Sequence, residues 1–422
     1  MVSGSLRTCV IAGGGPAGMV AGLLLARGGV DVVVVEKHSD FLRDFRGDTI
    51  HPSTLALLDE LGLMSRFNEI DYQRVEAAQF SAFDGGEVIP VDFSRLSHPY
   101  PYLAVAPQWE FLNLLAEAGR QEPCFELRLN TEVTGLLWAD DHGPQDSPGG
   151  RVAGVTVNGP EGEEEIQSML TVVADGRDSP LPGEAGLPAV SISVPLDVWW
   201  FKVDGRGASL AGAPMVFPRL TTEHPVLPIP RGDYVQTAML IPKGTDSALR
   251  ARGVEAFRHE VTTALPELAA AVGRLDLGDV KLLEVTMGRL KRWWGTGLLC
   301  IGDAAHPMSP VGGVGVNLAV QDGVAAARLL ARPLRDGTVS NRSVAAVQQR
   351  RMLPTRFTQT FQRGVHRGLQ RVFTSENPVR VPLSMTLALR QFPRLSGVLP
   401  RIIGVGVRPE HAPGWARRTP QE

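Results

Sequence analysis

The chain opens on a strand–turn–helix–strand signal that leaves few folds open. Residues 8–12 (TCVIA) form a β-prone run that passes directly into Gly13-Gly14-Gly15-Pro16-Ala17-Gly18. An Ala- and Leu-rich segment with helical character, MVAGLLLARGG, comes next, and a second apolar run at 30–35 ends on Glu36. A strand, a glycine turn, a helix, a second strand and a terminal acid make up the dinucleotide-binding βαβ unit. Each glycine has a physical task. Gly13 permits the tight turn, Gly15 lets the backbone approach a pyrophosphate, and Gly18 lets helix and strand pack closely. The helix starts at Pro16 and Ala17, and its N-terminal N–H groups carry partial positive charge toward phosphate. Glu36, with Lys37 beside it, is placed to accept hydrogen bonds from a ribose. All of these are read as cofactor contacts, and the unit alone does not separate FAD from NAD(P).

A second glycine cluster lies almost 290 residues further on, GDAAHPMSPVGGVGVNLA at 302–319. The run 297–301 reads as a buried strand feeding Gly302-Asp303. A loop with Pro307 and Pro310 follows, and a helix begins near Asn317. An acid in front of such a loop would repel phosphates, so Asp303 is expected to accept bonds from sugar or ribityl hydroxyls. The N–H groups from Gly313 to Asn317 suit a ligand atom that becomes negative, as the edge of a reduced flavin does.

Together, GGGPAG with Glu36, DGRDSP at 175–180 and GDAAHPMSPVGGVGVN resemble the group A FAD-dependent monooxygenases, the para-hydroxybenzoate hydroxylase-like aromatic hydroxylases. The resemblance covers roughly residues 6–335. It implies an α/β fold: a Rossmann-type FAD-binding domain (1–187 and 285–335), an inserted β-sheet substrate domain (188–284) and a C-terminal basic helical region (336–422). It implies FAD held by the first motif at its ADP end and by Asp303, Pro310, Gly313, Gly315, Val316 and Asn317 at its flavin end. It also places Arg46 near the pyrophosphate, Gln108 near the sugar chain, Val133 near adenine through its backbone, and Asp175 at both FAD and NAD(P)H. The arginine that usually closes the middle motif is absent from DGRDSPLP, although Arg177 stands within it.

The implied chemistry is reduction of FAD by NAD(P)H, addition of O2 to give a C4a-hydroperoxide, and oxygen transfer to an electron-rich aromatic or polyketide-like small molecule. The stretch 188–284 is rich in Val, Trp, Phe and Tyr between proline and glycine turns, as a sheet would be. Trp200, Met215, Phe217 and Tyr234 are its candidate substrate contacts, and strand alternation lets only one of Trp199 and Trp200 face a pocket. His51 and Tyr234 are the candidate bases for a phenol, and His306 reads as structural. No Ser-His-Asp or metal-ligand set has convincing spacing, and the Trp199-Trp200 and Trp293-Trp294 pairs do not form the WxWxIP signature of flavin halogenases. An FAD-dependent reductase of the prenyl-reductase type shares the first and third motifs and is the alternative.

Charge is unevenly spread. From Ala331 onward there are 16 Arg and no Lys against one Asp and three Glu, a balance of +12, so with a total of −3 residues 1–330 carry −15. The plainest reading is that these arginines pair with the acidic remainder. Closure of the back of the substrate domain is the expected role of this region, and docking on an acidic carrier protein or a membrane surface is the other. Cys9 and Cys300 lie in apolar runs as core residues, and an odd count of three argues against a disulfide framework. No stretch reaches the roughly 18 apolar residues of a membrane span, and no basic-then-apolar leader opens the chain. A cytoplasmic protein without nucleic-acid partners is expected.

Overall fold

A computed structural model describes residues 7–42, 49–81, 87–139, 150–206, 219, 223–231, 233–374, 391 and 397–419. Arg46, Met215 and Phe217 lie outside these. The apolar run at 8–12 becomes strand β1 (Arg7–Ala12), the helix is α1 (Pro16–Arg27), and the Val-rich run is β2 (Val32–Val35). Within FELRLNTEV one strand ends and a second begins: β3 (Phe125–Arg128) and β4 (Glu132–Trp138). Asn130 breaks it with φ 51°, a left-handed conformation that Asn tolerates better than most residues. An antiparallel hairpin of β5 (Val152–Gly159) and β6 (Gly162–Val173) follows, and a final strand, β11 (Leu298–Cys300), returns from far along the chain.

In space β11, β6, β1, β2 and β3 lie side by side and parallel. Their alternation sorts two cores. Cys9, Ile11, Val32, Val34 and Leu299 face a helical layer, whereas Val10, Ala12, Val33, Val35, Leu298 and Cys300 face the β4–β5–β6 ribbon. Both faces are therefore covered, which is why these strands read as unbroken apolar runs. The parallel arrangement has one consequence for function. The ends of β1, β2, β6 and β11 all emerge at one edge, where open α/β sheets bind ligands.

The second sheet is antiparallel, in the order β8 (Val226–Arg231), β9 (Tyr234–Pro242), β7 (Leu196–Asp204) and β10 (Lys281–Leu283). Alternation along β7 divides the tryptophans as expected. Trp199 is 1% exposed, packs edge-on to Phe257 of the helix Val254–Ala264, and donates Nε1 to Asp246 at 2.7 Å. Trp200 faces the opposite way, among Leu227, Ala238 and Val311 of the second glycine loop. Tyr234 shares the face of Trp200 by alternation, four residues from Ala238, the strand partner of Trp200.

Two long helices complete the chain, Val314–Arg335 and Asn341–Thr374. The second one does reach the second sheet, through Leu369 and Phe373. The segment 397–419 adds Leu399 and Ile403 to a cluster that includes Ile229 of β8. It returns to the first domain, with Ala412 and Ala416 entering that core. Trp199→Ala is expected to cost about 3–5 kcal/mol in urea unfolding, and the half-buried Trp200→Ala clearly less.

Candidate functional site

The edge where the parallel strands end holds all three motifs. Gly13 follows β1 with φ 103°, and a Cβ there would lie 2.5 Å from Ala174 O. Its N–H donates to Val35 O at 2.8 Å, while Ala174 N donates to Ala12 O at 2.7 Å and Ile301 N to Val173 O at 2.9 Å. Asp175 thus sits between the two glycine loops. Ser179 Oγ donates to its carboxylate at 2.8 Å, and Arg177 Nη2 stands 3.6 Å from Asp303, tying the middle motif to the third.

Gly15 differs from Gly13. Its φ is −73°, which any residue adopts, and a Cβ on it would meet nothing closer than Ala174 O at 3.9 Å. Nothing inside the protein requires glycine there, so the open cradle at the start of α1, before Pro16 and Ala17, suits a group from outside. Glu36 turns toward this loop and accepts from Gly14 N at 3.0 Å, with exposed Lys37 next to it. The β3–β4 turn lies against the same place, Thr131 N donating to Glu36 O at 3.0 Å, and Val133 follows two residues later. Arg177 Nε and Nη1 are buried without an acceptor among the described residues. An open cradle, a helix N-terminus, a carboxylate beyond the second strand and two unmet guanidinium donors fit an adenine dinucleotide with its diphosphate.

The second loop is built by other means. Gly313 caps the helix Val314–Arg335, which we label α6, in the left-handed region at φ 62°, ψ 18°, and a Cβ there would collide with Thr49. Its carbonyl accepts from Thr49 Oγ1 at 3.2 Å and faces His51 Nε2 at 2.9 Å. Pro310, Gly313, Gly315 and Val316 remain half-buried at the helix start, where backbone N–H groups lack intrahelical acceptors. Asn317 is buried, and its Oδ1 accepts from Ser53 Oγ and Thr54 Oγ1, each at 2.8 Å, so its side chain anchors the helix rather than facing outward. Gln108 is half-buried at the start of the helix Gln108–Arg120. It lies three residues past Val105, the strand partner of Thr49.

His51 changes role. It is fully buried, with Nδ1 2.9 Å from Ile403 O and Nε2 on Gly313 O, so it has no open face from which to take a proton from substrate. Burial pushes its pKa down to about 4, and the two carbonyls do not offset that. It acts as a strut between the loop and the C-terminal segment.

Beneath the loop lies a buried set of charges that the sequence reading did not find. Asp322 of α6 is fully buried. It accepts from Gly302 N at 3.1 Å, from Arg351 Nε at 2.9 Å and pairs with His306 Nε2. Arg351 also donates to Arg408 O at 3.0 Å, and Arg350 holds buried Glu410 through two bonds of 2.6 and 2.9 Å. His306 is structural, as expected from its place in the motif. An acid in the otherwise apolar LAVQDGVAAARLL was the one available signal for Asp322.

The FAD binding domain family matches residues 6–360. A 6-methylpretetramide 4-monooxygenase of Streptomyces rimosus is 35% identical over 357 residues, covering 81% of this chain and 79% of that one. A para-nitrophenol 4-monooxygenase of Pseudomonas sp. is 26% identical over 79% of this chain and 80% of its own. Among solved structures, the OxyS anhydrotetracycline hydroxylase of Streptomyces rimosus superposes with a TM-score of 0.72 at 22% identity, over 95% of this chain and 76% of that one. The flavin-dependent brominase Bmp2 reaches 0.75 at 18%, over 99% and 96%. At such identities the structures speak for the fold.

Two outcomes are expected here. Gly15→Ala leaves the melting temperature of the FAD-free protein unchanged and weakens FAD binding at least about tenfold, roughly 1.4 kcal/mol, whereas Gly13→Ala yields little folded protein. Titration and circular dichroism separate them. Because the folded pKa of His51, about 4, lies below its ordinary 6.5, its stabilisation is complete above pH 6.5 and is lost as pH falls toward 4. At about 1.4 kcal/mol per pH unit this is roughly 3 kcal/mol at most, and His51→Asn should flatten that part of the stability–pH curve.

Proposed function

The chain belongs to the FAD binding domain family of flavin-dependent monooxygenases, and from that premise we propose that it hydroxylates or epoxidises an aromatic, polyketide-like small molecule. FAD is its cofactor and NAD(P)H and O2 its co-substrates. One observation carries the assignment of the site. The first glycine loop, Asp175 and Gly302-Asp303 emerge side by side at one sheet edge, and the second glycine loop packs through Val311 against the Trp200 face of the other sheet.

The Gly13–Gly18 loop and the start of α1 would hold the diphosphate, Glu36 the ribose, Asp303 the ribityl chain, and the N–H groups at the start of α6 the ring edge. Bound FAD, reduced by NAD(P)H, supplies the activation of O2 and the transfer of one oxygen atom. The protein supplies position and dryness. Trp200, Leu227 and Ala238 give an apolar wall that excludes water and can lie against a planar ring. Tyr234, on the same face, is the remaining candidate to bind or deprotonate a phenol.

Oxygen transfer is favoured over the reductase reading by the 6-methylpretetramide and para-nitrophenol relatives, both named monooxygenases. A reducing cytoplasm suits three free cysteines, two of them buried with thiol pKa values raised by burial. Among the described residues no helix is long and apolar enough to cross a membrane.

Purified protein is expected to be yellow, to consume NAD(P)H only with O2 present, and to do so faster when phenols or polyketide-like aromatics are added. Colourless protein that takes up no FAD would sink the reading. Turnover without oxygen, followed in an anaerobic cell, would return the reductase alternative.

A further inference from the structure

The helix Asn341–Thr374, labelled α7, has 34 residues and carries seven arginines but no Asp or Glu. They divide by direction. Arg350 and Arg351 turn inward to Glu410 and Asp322. Arg356, Arg363 and Arg367 stay exposed, and no carboxylate among the described residues pairs with them. Arg289, on the strand Met287–Leu290, adds a fourth guanidinium. Burial and then the nearby charges of Arg356 and Arg363 lower its pKa, and its own bond goes to Gln359, a neutral partner, at 2.9 Å. Leu353 and Phe357, one turn apart on this side, are 59% and 39% exposed.

From Leu353 to Arg367 the face covers 15 residues, about 21 Å from first to last at 1.5 Å per residue. That is the length of one docked helix. The opposite side of α7 touches the functional site. Gln362 Nε2 donates to Ser309 O and Val311 O at 2.8 and 2.9 Å, and Leu369 and Phe373 pack on the Trp200 side of the second sheet. A partner seated on the outer face would be one helix thickness from the second glycine loop.

We propose that the outer face of α7, Leu353 to Arg367 with Arg289, docks a small acidic carrier protein that delivers the aromatic substrate on a tethered arm. The delivery rests on the monooxygenase reading; the docking does not. Three features favour an acidic protein. Arginine forks match carboxylates two bonds at a time, like charges crowded without a counter-charge gain most from an acidic surface, and an exposed apolar pair beside arginines is a common make-up of an interface. A lipid surface would call for more exposed apolar area than Leu353 and Phe357 offer. A second copy could bring the Glu163–Glu165 run, but Glu164 is already engaged by Arg128.

The test uses the full FAD-loaded chain and, as probe, a fluorescently labelled holo-acyl carrier protein of the aromatic-polyketide type. Saturable binding is expected, weakened at least about tenfold by R356E/R363E and by about 0.5 M salt. F357S, which leaves charge intact, should also weaken it. The variants are interpretable because their FAD content and turnover of a free phenol are expected to match the parent. Three results would each overturn the proposal: no binding of the carrier, binding indifferent to these substitutions, or binding only to phosphatidylglycerol vesicles run in parallel. A dimer in light scattering that R356E/R363E dissolves would overturn it too, by assigning the face to self-association. Failure of the oxygen-dependence test leaves the binding measurement untouched, so the two ideas fall separately.

Discussion

Asp322 holds together what the chain keeps apart. A carboxylate with no exposure to water is costly unless its charge is matched and its lone pairs are filled. Here the loop of the third motif supplies a backbone N–H from Gly302 and the ring of His306, and α7 supplies Arg351. Desolvation pushes the Asp322 carboxyl up, but His306 and then Arg351 outweigh it and hold the acid below the ordinary carboxylate range. Removing one member would strand another buried charge, a loss of about 3–5 kcal/mol in comparable pairs. The placement of Gly302 and Asp303 at the sheet edge therefore depends on a residue of α6, 20 positions beyond Gly302 in the chain.

The same network explains the basic C-terminal part. Its arginines do pair with acids, but selectively. Arg350 and Arg351 are spent on Glu410 and Asp322, while Arg417 reaches Glu60. The segment 397–419 then works as a brace on the first domain. Ile403 O meets His51, Gly404 O accepts from Ser53 Oγ at 3.0 Å, and Arg408 O accepts from Arg351. His51 and Ser53 in turn touch Gly313 O and Asn317. The second glycine loop is thus held between the start of one helix and a stretch some 90 residues later.

Much of the site was legible because glycine and charge carry positional meaning. Gly13 must be glycine for the turn against Ala174, and Gly15 is glycine with no internal need, so the pair identifies both a fold and a guest. The division of Trp199 from Trp200 followed from the period of a strand. The role of His51 was not legible. Its side-chain type fits a base, and only burial between two carbonyls shows a strut. For Asn317 the fold adds that the side-chain oxygen is taken by Ser53 and Thr54, which leaves its backbone N–H among the groups at the helix start. The break at Asn130 was not legible either, because a single left-handed residue leaves no trace in the alternation of a strand.

By itself, the sequence determined the βαβ unit, the parallel sheet with its motifs at the strand ends, and the cofactor class, since each depends on local spacing and on residues whose backbone needs are strict. The tertiary structure decided which buried groups satisfy one another: Asp322 with Arg351, His51 with Ile403, Glu410 with Arg350. Those pairings join residues from about 30 to 350 positions apart. Their energy comes from desolvation and charge matching, and neither exists until the chain has closed around them.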